Sequence, residues 1–491
     1  MRGEGRLAAW IALVAALAFV PFSHCHFSAS DETGVYDTAR SLLVDGDLAI
    51  EPGKHIFGGR DGRLYSHFAL GQVALALPFV AAGEALGALL PEALGPRLWG
   101  RSDERGLIDE REEPGIFGAS LYAPWMTGVL VGLFYAFQRR LGASRHSAAW
   151  ATALLGACTY VATHSVFFLR HTTEAVAILG ALFALHGFRE TGRAGWLAWG
   201  TALASSGVLV RVPAAVSGPA LAAYALFALW ERHGPGRPRP SPAVVAAALA
   251  PPLLFAALHL ASNQLRWGTW IQSPMLGQSF LLQGDLLRGL HGLLASPGAS
   301  VFVYSPLLAL TPLALASLWP QRRAEVWAVV GISLGFLWLC GSFHFWHGLW
   351  SAPGPRYLFA LTPLWLLGLG PWLDAARGRA RWLWVALLAV PGAAVQFVLM
   401  SVHWRRAVEI NGYQAEIVEL GFLFDAVRSP VVGCARALLA GEIDVYLWTL
   451  ARGVPGHPAE PVLAAALGLA WAALFGLALW RLRAAWRVAR E

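Results

Sequence analysis

The chain alternates long apolar stretches with short polar segments that are rich in arginine. A transmembrane helix needs about 20 consecutive, mostly apolar residues. Stretches of this kind occupy residues 7–22, 116–137, 147–165, 174–188, 195–211, 213–230, 242–262, 298–318, 324–342, 357–373, 382–401 and 461–480. The pattern therefore predicts an all-α polytopic membrane protein with about 12 transmembrane helices.

The arginines between these stretches predict an orientation, because short cytoplasmic loops carry the excess of basic residues. With Arg2 and Arg6 inside, the arginine-rich segments that share their side are 139–145, 189–193, 232–239, 322–323, 377–381 and 481–490. This agreement predicts that both termini are cytoplasmic. The longer connections that then face outward are 23–115, 263–297, 343–356 and 402–460.

Residues 68–90 form a further apolar stretch, which this count leaves out. If it crossed the bilayer, Arg139 and every later arginine group would change sides, against the positive-inside bias. Its glycines and Pro78 also make it a poor straight span. We expect a juxtamembrane or re-entrant helix on the outer face.

The composition supports a membrane protein and excludes some partners. Of the 491 residues, 56% are hydrophobic and 14% are charged, whereas a soluble domain has about 25% charged residues. The net charge of +7 is dispersed, so we expect no nucleic-acid partner. Cys25 and Cys434 would lie outside, as a disulfide or as two free thiols, and Cys158 and Cys340 would pack within spans.

Two adjacent carboxylates, Asp31 and Glu32, follow the first apolar stretch. They could simply begin a helix, with Ser28 or Ser30 as the N-cap and both acids against the positive end of the helix dipole. The cap and dipole could equally preorganise a carboxylate as a general base beside the bilayer. Spacing alone favours the structural interpretation.

A Gly-Arg-Asp-Gly turn at 59–62 is followed by Tyr65, Ser66 and His67. Hydroxyls, an imidazole and arginines near a helix start suit an anionic group. The alternative is an ordinary polar loop with an aromatic interface anchor.

Basic residues also lie at the outer ends of several predicted spans, against the positive-inside bias. They are Arg170, His171, Arg211 and Arg356, and Glu174 closely follows the first two. An ionisable group at the edge of the hydrocarbon is a functional-site hypothesis, with snorkelling or an ion pair as the alternative. Carboxylates and cations on one membrane face suit a reaction with an anionic leaving group, such as a lipid-linked phosphate.

These residues resemble the bacterial branch of the C-type-fold glycosyltransferases, which use polyprenyl-phosphate sugars and include protein O-mannosyltransferases and lipid A aminoarabinose transferases. The resemblance extends from about residue 7 to about residue 373. Its stretches are Ser30–Tyr36 with Ala39–Leu43, Asp61–His67 with Gly71 and Pro78, Asn263–Gly268 with Gly292–Gly298 and Tyr304–Pro306, and Gly354–Leu358.

The resemblance implies roles for individual residues. Asp31 would be the general base, and Glu32 would orient it or the acceptor. Glu174 would be the second-loop acid. The donor phosphate or lipid-linked sugar would be bound by Arg211, with further candidates in His67, Arg356, Tyr65, Arg170 and His171.

Together these observations predict an inverting glycosyltransferase that uses a polyprenyl-phosphate-linked sugar, with a glycan, lipid or protein of the cell envelope as acceptor. It would act at the outer, periplasmic face of the cytoplasmic membrane. The alternatives are a transporter or flippase for lipid-linked saccharides, or a non-catalytic scaffold of an envelope-synthesis complex. The membrane domain would comprise 1–401, and 402–491 would form an outer segment plus a final transmembrane helix.

Metal use stays open from the sequence. Asp31, Glu32 and Glu174 could hold Mg²⁺ or Mn²⁺, since hard oxygen ligands suit both ions. The nearby arginines and histidine could supply the same positive charge without a metal. His24 with His26, and His344 with His347, form pairs without a complete ligand set, so neither pair is assigned to a metal.

Overall fold

The computed structural model describes residues 2–27, 29–53, 56–90, 113–271, 274, 282–349, 352–375, 378, 380–412, 421–452 and 459–488. Ser28, one of the two N-cap candidates, lies outside these residues, as do parts of the segments 377–381 and 481–490.

The first part of the chain contains helices and one small hairpin. The helices are α1 (Arg2–Phe19), α2 (Ser30–Val44), α3 (Gly71–Leu89), α4 (Pro114–Ser120), α5 (Tyr122–Arg140), α6 (Arg145–Cys158), α7 (Val161–His164), α8 (His171–Thr191), α9 (Ala194–Val210) and α10 (Gly218–His233). Strand β1 (Ile56–Gly58) pairs antiparallel with β2 (Leu64–Ser66), and Phe57 lies opposite Tyr65. Short 3₁₀ turns occur at Val20–Phe22 and Val212–Ser217.

The second part of the chain is helical. The helices are α11 (Pro242–Trp267), α12 (Leu286–Ala295), α13 (Val301–Tyr304), α14 (Thr311–Leu318), α15 (Arg323–Gly341), α16 (Leu361–Trp365), α17 (Leu369–Ala375), α18 (Ala380–Ser401), α19 (Trp404–Ile410), α20 (Pro430–Leu439), α21 (Tyr446–Arg452) and α22 (Ala459–Val488). The 3₁₀ turns are Pro306–Leu310, Arg356–Leu358 and Gly421–Phe424.

Each of the twelve apolar stretches coincides with helix, and the predicted all-helical polytopic membrane protein is confirmed. Eight helices in the described part of the chain are long and apolar enough to cross a membrane. They include seven of the predicted spans and also α3. Other predicted spans are shorter or broken, as at 147–165, where Thr159 and Tyr160 separate α6 from α7. The number of twelve crossings stays a prediction.

Helix α3 covers the stretch that we expected on the outer surface. It is continuous through Pro78. It packs against α2, which belongs to the same long connection, and against α4, which leads into the span that contains α5. The contact with α4 is close, because a Cβ on Gly83 would clash with the Pro114 carbonyl oxygen. Its length and composition would also permit a crossing, so its surface position stays a prediction.

Small residues allow α1 and α5 to pack closely. A Cβ on Gly132 of α5 would lie 2.8 Å from the Ala8 carbonyl oxygen of α1. Glycines at a helix contact let the backbones approach, and such packing drives helix association where lipid surrounds the helices. This contact fixes the direction of α1, and therefore the start of the segment that carries Asp31.

The residues after Ser401 pack back onto the beginning of the chain. The Trp471 indole N–H of α22 donates to the Leu17 carbonyl of α1 at 2.7 Å. The Tyr446 amide donates to the Ser23 carbonyl at 3.1 Å. The C-terminal segment therefore borders the first long connection.

The four cysteines are buried thiols outside any disulfide, so Cys25 and Cys434 are not joined. Cys158 and Cys340 belong to the main hydrophobic core, as expected for packing residues.

Candidate active site

Helix α2 begins with a cap that differs from the expected serine cap. The N-cap residue is Ala29, and its amide donates to Glu32 Oε2 at 3.1 Å. The other oxygen of Glu32 accepts from the Phe168 amide at 2.7 Å. Glu32 is 1% exposed, so its carboxylate holds the start of α2 against the turn before α8. The serine expectation was wrong because the glutamate satisfies amides of two segments at once.

The Asp31 carboxylate lies beside two arginines from distant parts of the chain. Arg356 Nη1 donates to Asp31 Oδ2 at 3.1 Å, and Arg170 Nη2 lies 3.7 Å from the same oxygen. The Asp31 side chain is 13% exposed, and both arginines are buried. Two guanidinium groups from separate segments therefore converge on one carboxylate oxygen.

Burial and charge act in opposite directions on the two arginines. Burial lowers the pKa of Arg170 to about 10, although the Asp31 carboxylate opposes this shift. Burial also acts to lower the pKa of Arg356, but Tyr357 and Asp31 outweigh it and raise that pKa above its ordinary value. Both guanidinium groups therefore remain charged at neutral pH and can bind an anion.

The loop before α16 positions Arg356. Gly354 has a φ of +86°, and a Cβ on it would lie 2.7 Å from the Tyr304 ring, so the loop needs glycine there. The guanidinium carbons of Arg356 and Arg211 each lie 5.1 Å from the Tyr357 ring centroid. One aromatic ring therefore holds two cationic groups close together.

Arg211 directly follows α9 and pairs with Glu174 in the first turn of α8. Its Nη1 donates to Glu174 Oε2 at 2.8 Å, and both side chains are buried. Glu174 Oε1 is buried and has no hydrogen-bond partner within the protein. The pair therefore uses one of the two carboxylate oxygens.

Further buried polar atoms around this cluster lack a hydrogen-bond partner within the protein. They are Tyr160 Oη, both ring nitrogens of His164, both ring nitrogens of His171, Thr172 Oγ1 and Arg356 Nε. Ring contacts connect them, with centroids 4.5 Å apart for Tyr160 and His164 and 5.3 Å apart for His164 and His171. Buried polar groups in native proteins are nearly always satisfied, so this concentration points to a polar ligand.

The hairpin residues support the cluster from one side. The Tyr65 hydroxyl donates to Asp61 at 2.7 Å, and the His67 ring packs on Phe57 and Phe68. The Phe68 ring lies 3.9 Å from the guanidinium carbon of Arg170. His67 therefore reaches the cluster through Phe68, and the hydrogen bond of the Tyr65 hydroxyl remains within the hairpin.

The stretch Asn263–Gly268 anchors this hairpin. Arg266 Nη1 donates to the carbonyls of Ser66 and Phe68, both at 2.8 Å. The Arg60 amide donates to the Arg266 carbonyl at 3.1 Å. Arg266 thus fixes the segment that carries His67 and Phe68, so this motif has a positioning role in the structure.

A polar cleft of about 740 Å³ opens beside α2. One wall is formed by Ser30, Thr33 and Asp37 on α2, and the opposite side by the segment Asp45–Gly53 with Arg63. Ser30 is adjacent to Asp31 in the chain. The cleft therefore borders the first turn of α2.

Six of the predicted site residues come together in this cluster: Asp31, Arg170, His171, Glu174, Arg211 and Arg356. Tyr160 and His164 also belong to it, and sequence reasoning missed them. The available signal was the concentration of polar residues at 159–165, inside a stretch interpreted as one continuous span.

Comparisons with known proteins bear on the fold alone. No family model and no curated protein matches the chain. Among solved structures, ArnT from Cupriavidus metallidurans bound to undecaprenyl phosphate aligns with a TM-score of 0.52 at 14% identity, over 89% of this chain and 76% of that chain. The apo state of the same ArnT aligns with a TM-score of 0.50 at 14% identity, over 93% and 82% of the two chains. The chain shares the ArnT fold.

ArnT is a lipid A aminoarabinose transferase with the C-type fold, so the expected fold is confirmed. The alignment covers most of both chains. At 14% identity the ArnT fold does not assign a donor, an acceptor or a role for any residue.

Proposed function

We propose that the protein is a membrane glycosyltransferase. It transfers a sugar from a polyprenyl-phosphate donor to a cell-envelope acceptor, with inversion, at the outer face of the cytoplasmic membrane. The observation that carries the proposal is the Asp31 carboxylate beside Arg356 and Arg170, within a group of buried polar atoms that have no partner in the protein. The ArnT fold supports it, since one neighbour with this fold binds undecaprenyl phosphate.

The arginines suit the phosphate of the donor. Arg356 and Arg211 both contact the Tyr357 ring, and Arg170 adds a third charge beside Asp31. Guanidinium groups bind phosphate through paired, charge-assisted hydrogen bonds. As the sugar leaves, negative charge accumulates on the phosphate, and preorganised cations stabilise that transition state.

Asp31 acts as the general base. In the free protein its oxygen is occupied by Arg356 at 3.1 Å. When the donor phosphate takes over Arg356, the carboxylate becomes available to the acceptor hydroxyl. The acceptor oxygen bonds to the anomeric carbon, the bond from that carbon to the phosphate oxygen breaks, and Asp31 receives the proton. A single displacement inverts the anomeric configuration.

The geometry favours cationic side chains over a divalent metal at this site. Asp31 pairs with Arg356, and Glu174 pairs with Arg211. Mg²⁺ and Mn²⁺ prefer sites where carboxylate and water oxygens are free of competing cations. We therefore propose that the arginines, and not Mg²⁺ or Mn²⁺, compensate the phosphate charge.

The test is complementation of a strain that lacks the gene, scored by mass spectrometry of the envelope glycans. Asp31→Asn keeps the size of the side chain and removes the base, so we expect transfer to fall about 100-fold or more. Asp285→Asn is the matched control, because Asp285 is exposed at the N-cap of α12, where asparagine caps equally well, and we expect wild-type transfer.

Both variants must reach the membrane at the wild-type level for the comparison to count. Full glycosylation with Asp31→Asn would refute the general base and favour a transporter or a scaffold. Loss of one defined sugar in the Asp31→Asn strain alone would identify the product and support the enzyme.

A further inference from the structure

A second polar group lies between α1 and α2, apart from the arginine cluster. His24 and His26 follow the 3₁₀ turn Val20–Phe22, and Asp444 approaches them from 418 residues beyond His26. The Asp444 amide donates to the Ser401 carbonyl at 2.8 Å. Three separate segments of the chain therefore meet at this point.

The side chains of this group have the separations that a metal site needs. His26 Nε2 lies 2.9 Å from Asp444 Oδ2, and His24 Nδ1 lies 3.6 Å from the same oxygen. One ligand atom from each of the three residues lies within 4.8 Å of the others. In a tetrahedral zinc site with bonds of about 2.0 Å, ligand atoms are about 3.3 Å apart.

The His24 ring nitrogen that faces away from Asp444 is hydrogen-bonded in the manner that is usual for metal-binding histidines. His24 Nε2 lies 3.1 Å from the Met400 carbonyl oxygen, which can accept its N–H. This bond selects the tautomer in which Nδ1 carries a lone pair and faces Asp444. Metal-binding histidines almost always donate their other N–H to a carbonyl or carboxylate in this way.

The backbone between the two histidines is strained. Cys25 has a φ of 55°, and in the described part of the chain it is the one residue other than glycine with a positive φ. This conformation brings the flanking imidazoles into a stack, with centroids 5.5 Å apart and planes at 18°. A strained non-glycine residue persists where the surrounding structure requires it, and such residues concentrate at ligand-binding sites.

From these contacts we propose that His24, His26 and Asp444 bind a structural zinc ion. Two imidazoles and one carboxylate are a ligand set that zinc favours. The His403 ring lies 5.1 Å from that of His26, so it can supply the fourth ligand after a small rotation. All four residues are at least nine-tenths buried, as expected for a closed site. The ion would fasten the segment before α2 to the C-terminal segment.

The test measures zinc in the full-length protein, purified in detergent with a tag that contains no histidine. We expect about one zinc per chain by elemental mass spectrometry, bound through imidazole nitrogen in zinc-edge X-ray absorption. His26→Ala and Asp444→Ala should each lose the ion. His344→Ala is the matched control, because His344 is exposed in another connection and should keep it.

Zinc removal provides a readout that needs neither variant to fold. A zinc chelator should lower the thermal unfolding midpoint of the wild type, and added zinc should restore it. Wild-type protein without zinc after incubation with the ion would overturn the proposal. So would zinc retained by folded His26→Ala, or X-ray absorption without imidazole. None of these outcomes depends on sugar transfer, so the test is separate from that of the proposed function.

Discussion

Each end of helix α8 lies in a buried group that contains a glutamate and an arginine. The two groups differ in how completely their polar atoms are hydrogen-bonded. Glu174 lies in the first turn with Arg211, whereas Glu325 meets His186 and Arg189 near the last turn. Residues 174 and 186 are about 18 Å apart along the helix. The two ends therefore form separate sites within one bundle.

Both oxygens of the Glu325 carboxylate are satisfied by the protein itself, and His186 Nε2 lies 3.2 Å from Glu190 Oε1, although it has no well-formed hydrogen bond. Oε1 of Glu325 accepts from His186 Nδ1 at 2.7 Å, from the Tyr224 hydroxyl at 2.7 Å and from Arg189 Nη1 at 2.9 Å. Oε2 accepts from the same Arg189 nitrogen at 3.1 Å. Arg189 also forms two bonds to Glu231.

The Glu174 group is incomplete by comparison. Glu174 accepts one bond, its other oxygen has no partner, and Tyr160, His164 and His171 nearby have buried polar atoms without partners. A complete buried network rigidifies the fold, whereas an incomplete one is costly unless a ligand completes it. The same residue types thus hold the structure at one end and leave a polar site open at the other.

The largest expected effect is the loss of stability when the Glu325 carboxylate is removed. Glu325→Ala leaves the buried His186 and Tyr224 without their partner and Arg189 with Glu231 alone, so we expect a loss of about 3 kcal/mol or more in stability. Thermal unfolding in detergent would measure this loss. The folded fraction of this variant should transfer sugar at the wild-type rate. Loss of transfer with normal stability would contradict the account, because it would place the active site at the Glu325 end of α8.

Replacing a tyrosine by phenylalanine at each end of α8 should have an intermediate effect on stability. Tyr224→Phe removes a hydroxyl bonded to a carboxylate, so stability should fall by about 2 kcal/mol with transfer retained. Tyr160→Phe removes a hydroxyl that has no partner in the protein, so stability should hold or rise while transfer falls. Paired unfolding and transfer assays measure both, and equal stability losses would contradict the contrast.

The smallest effect comes from two glycines with nearly equal φ. Gly354 has a φ of +86° and Gly378 of +87°, so the backbone strain of alanine should cost about 1–2 kcal/mol of stability at each, with a further cost at Gly354, where the Cβ would meet the Tyr304 ring. Only Gly354 lies against the Tyr304 ring and two residues before Arg356. We therefore expect reduced transfer for Gly354→Ala alone, and similar transfer by both variants would show that this loop does not position Arg356.

Much of the fold and of the arginine cluster could be predicted from the sequence. Charges at span ends are costly, so Arg170, Arg211 and Arg356 were conspicuous, and the structure brings them beside Asp31 and Glu174. The helical positions followed from apolar runs of the required length.

Other features depend on contacts that local patterns do not reveal. The break at Thr159 that brings Tyr160 and His164 to the cluster lies within a stretch long enough for one span, so its length concealed the polar residues at its end. Glu32 was interpreted by its position beside Asp31, but it bonds an amide in a distant turn. The pair His24 and His26 showed no third ligand because Asp444 is supplied by the other end of the chain.

The most direct test of the central claim is the binding of undecaprenyl phosphate, measured by native mass spectrometry across a lipid titration. Wild type should bind one lipid, and Arg356→Gln should weaken the affinity about tenfold or more, equivalent to about 1.4 kcal/mol. Arg322→Gln, near Glu190 at the other end of α8, should bind as wild type does. Equal affinities for Arg356→Gln and wild type would contradict the assignment of the arginine cluster to the donor phosphate.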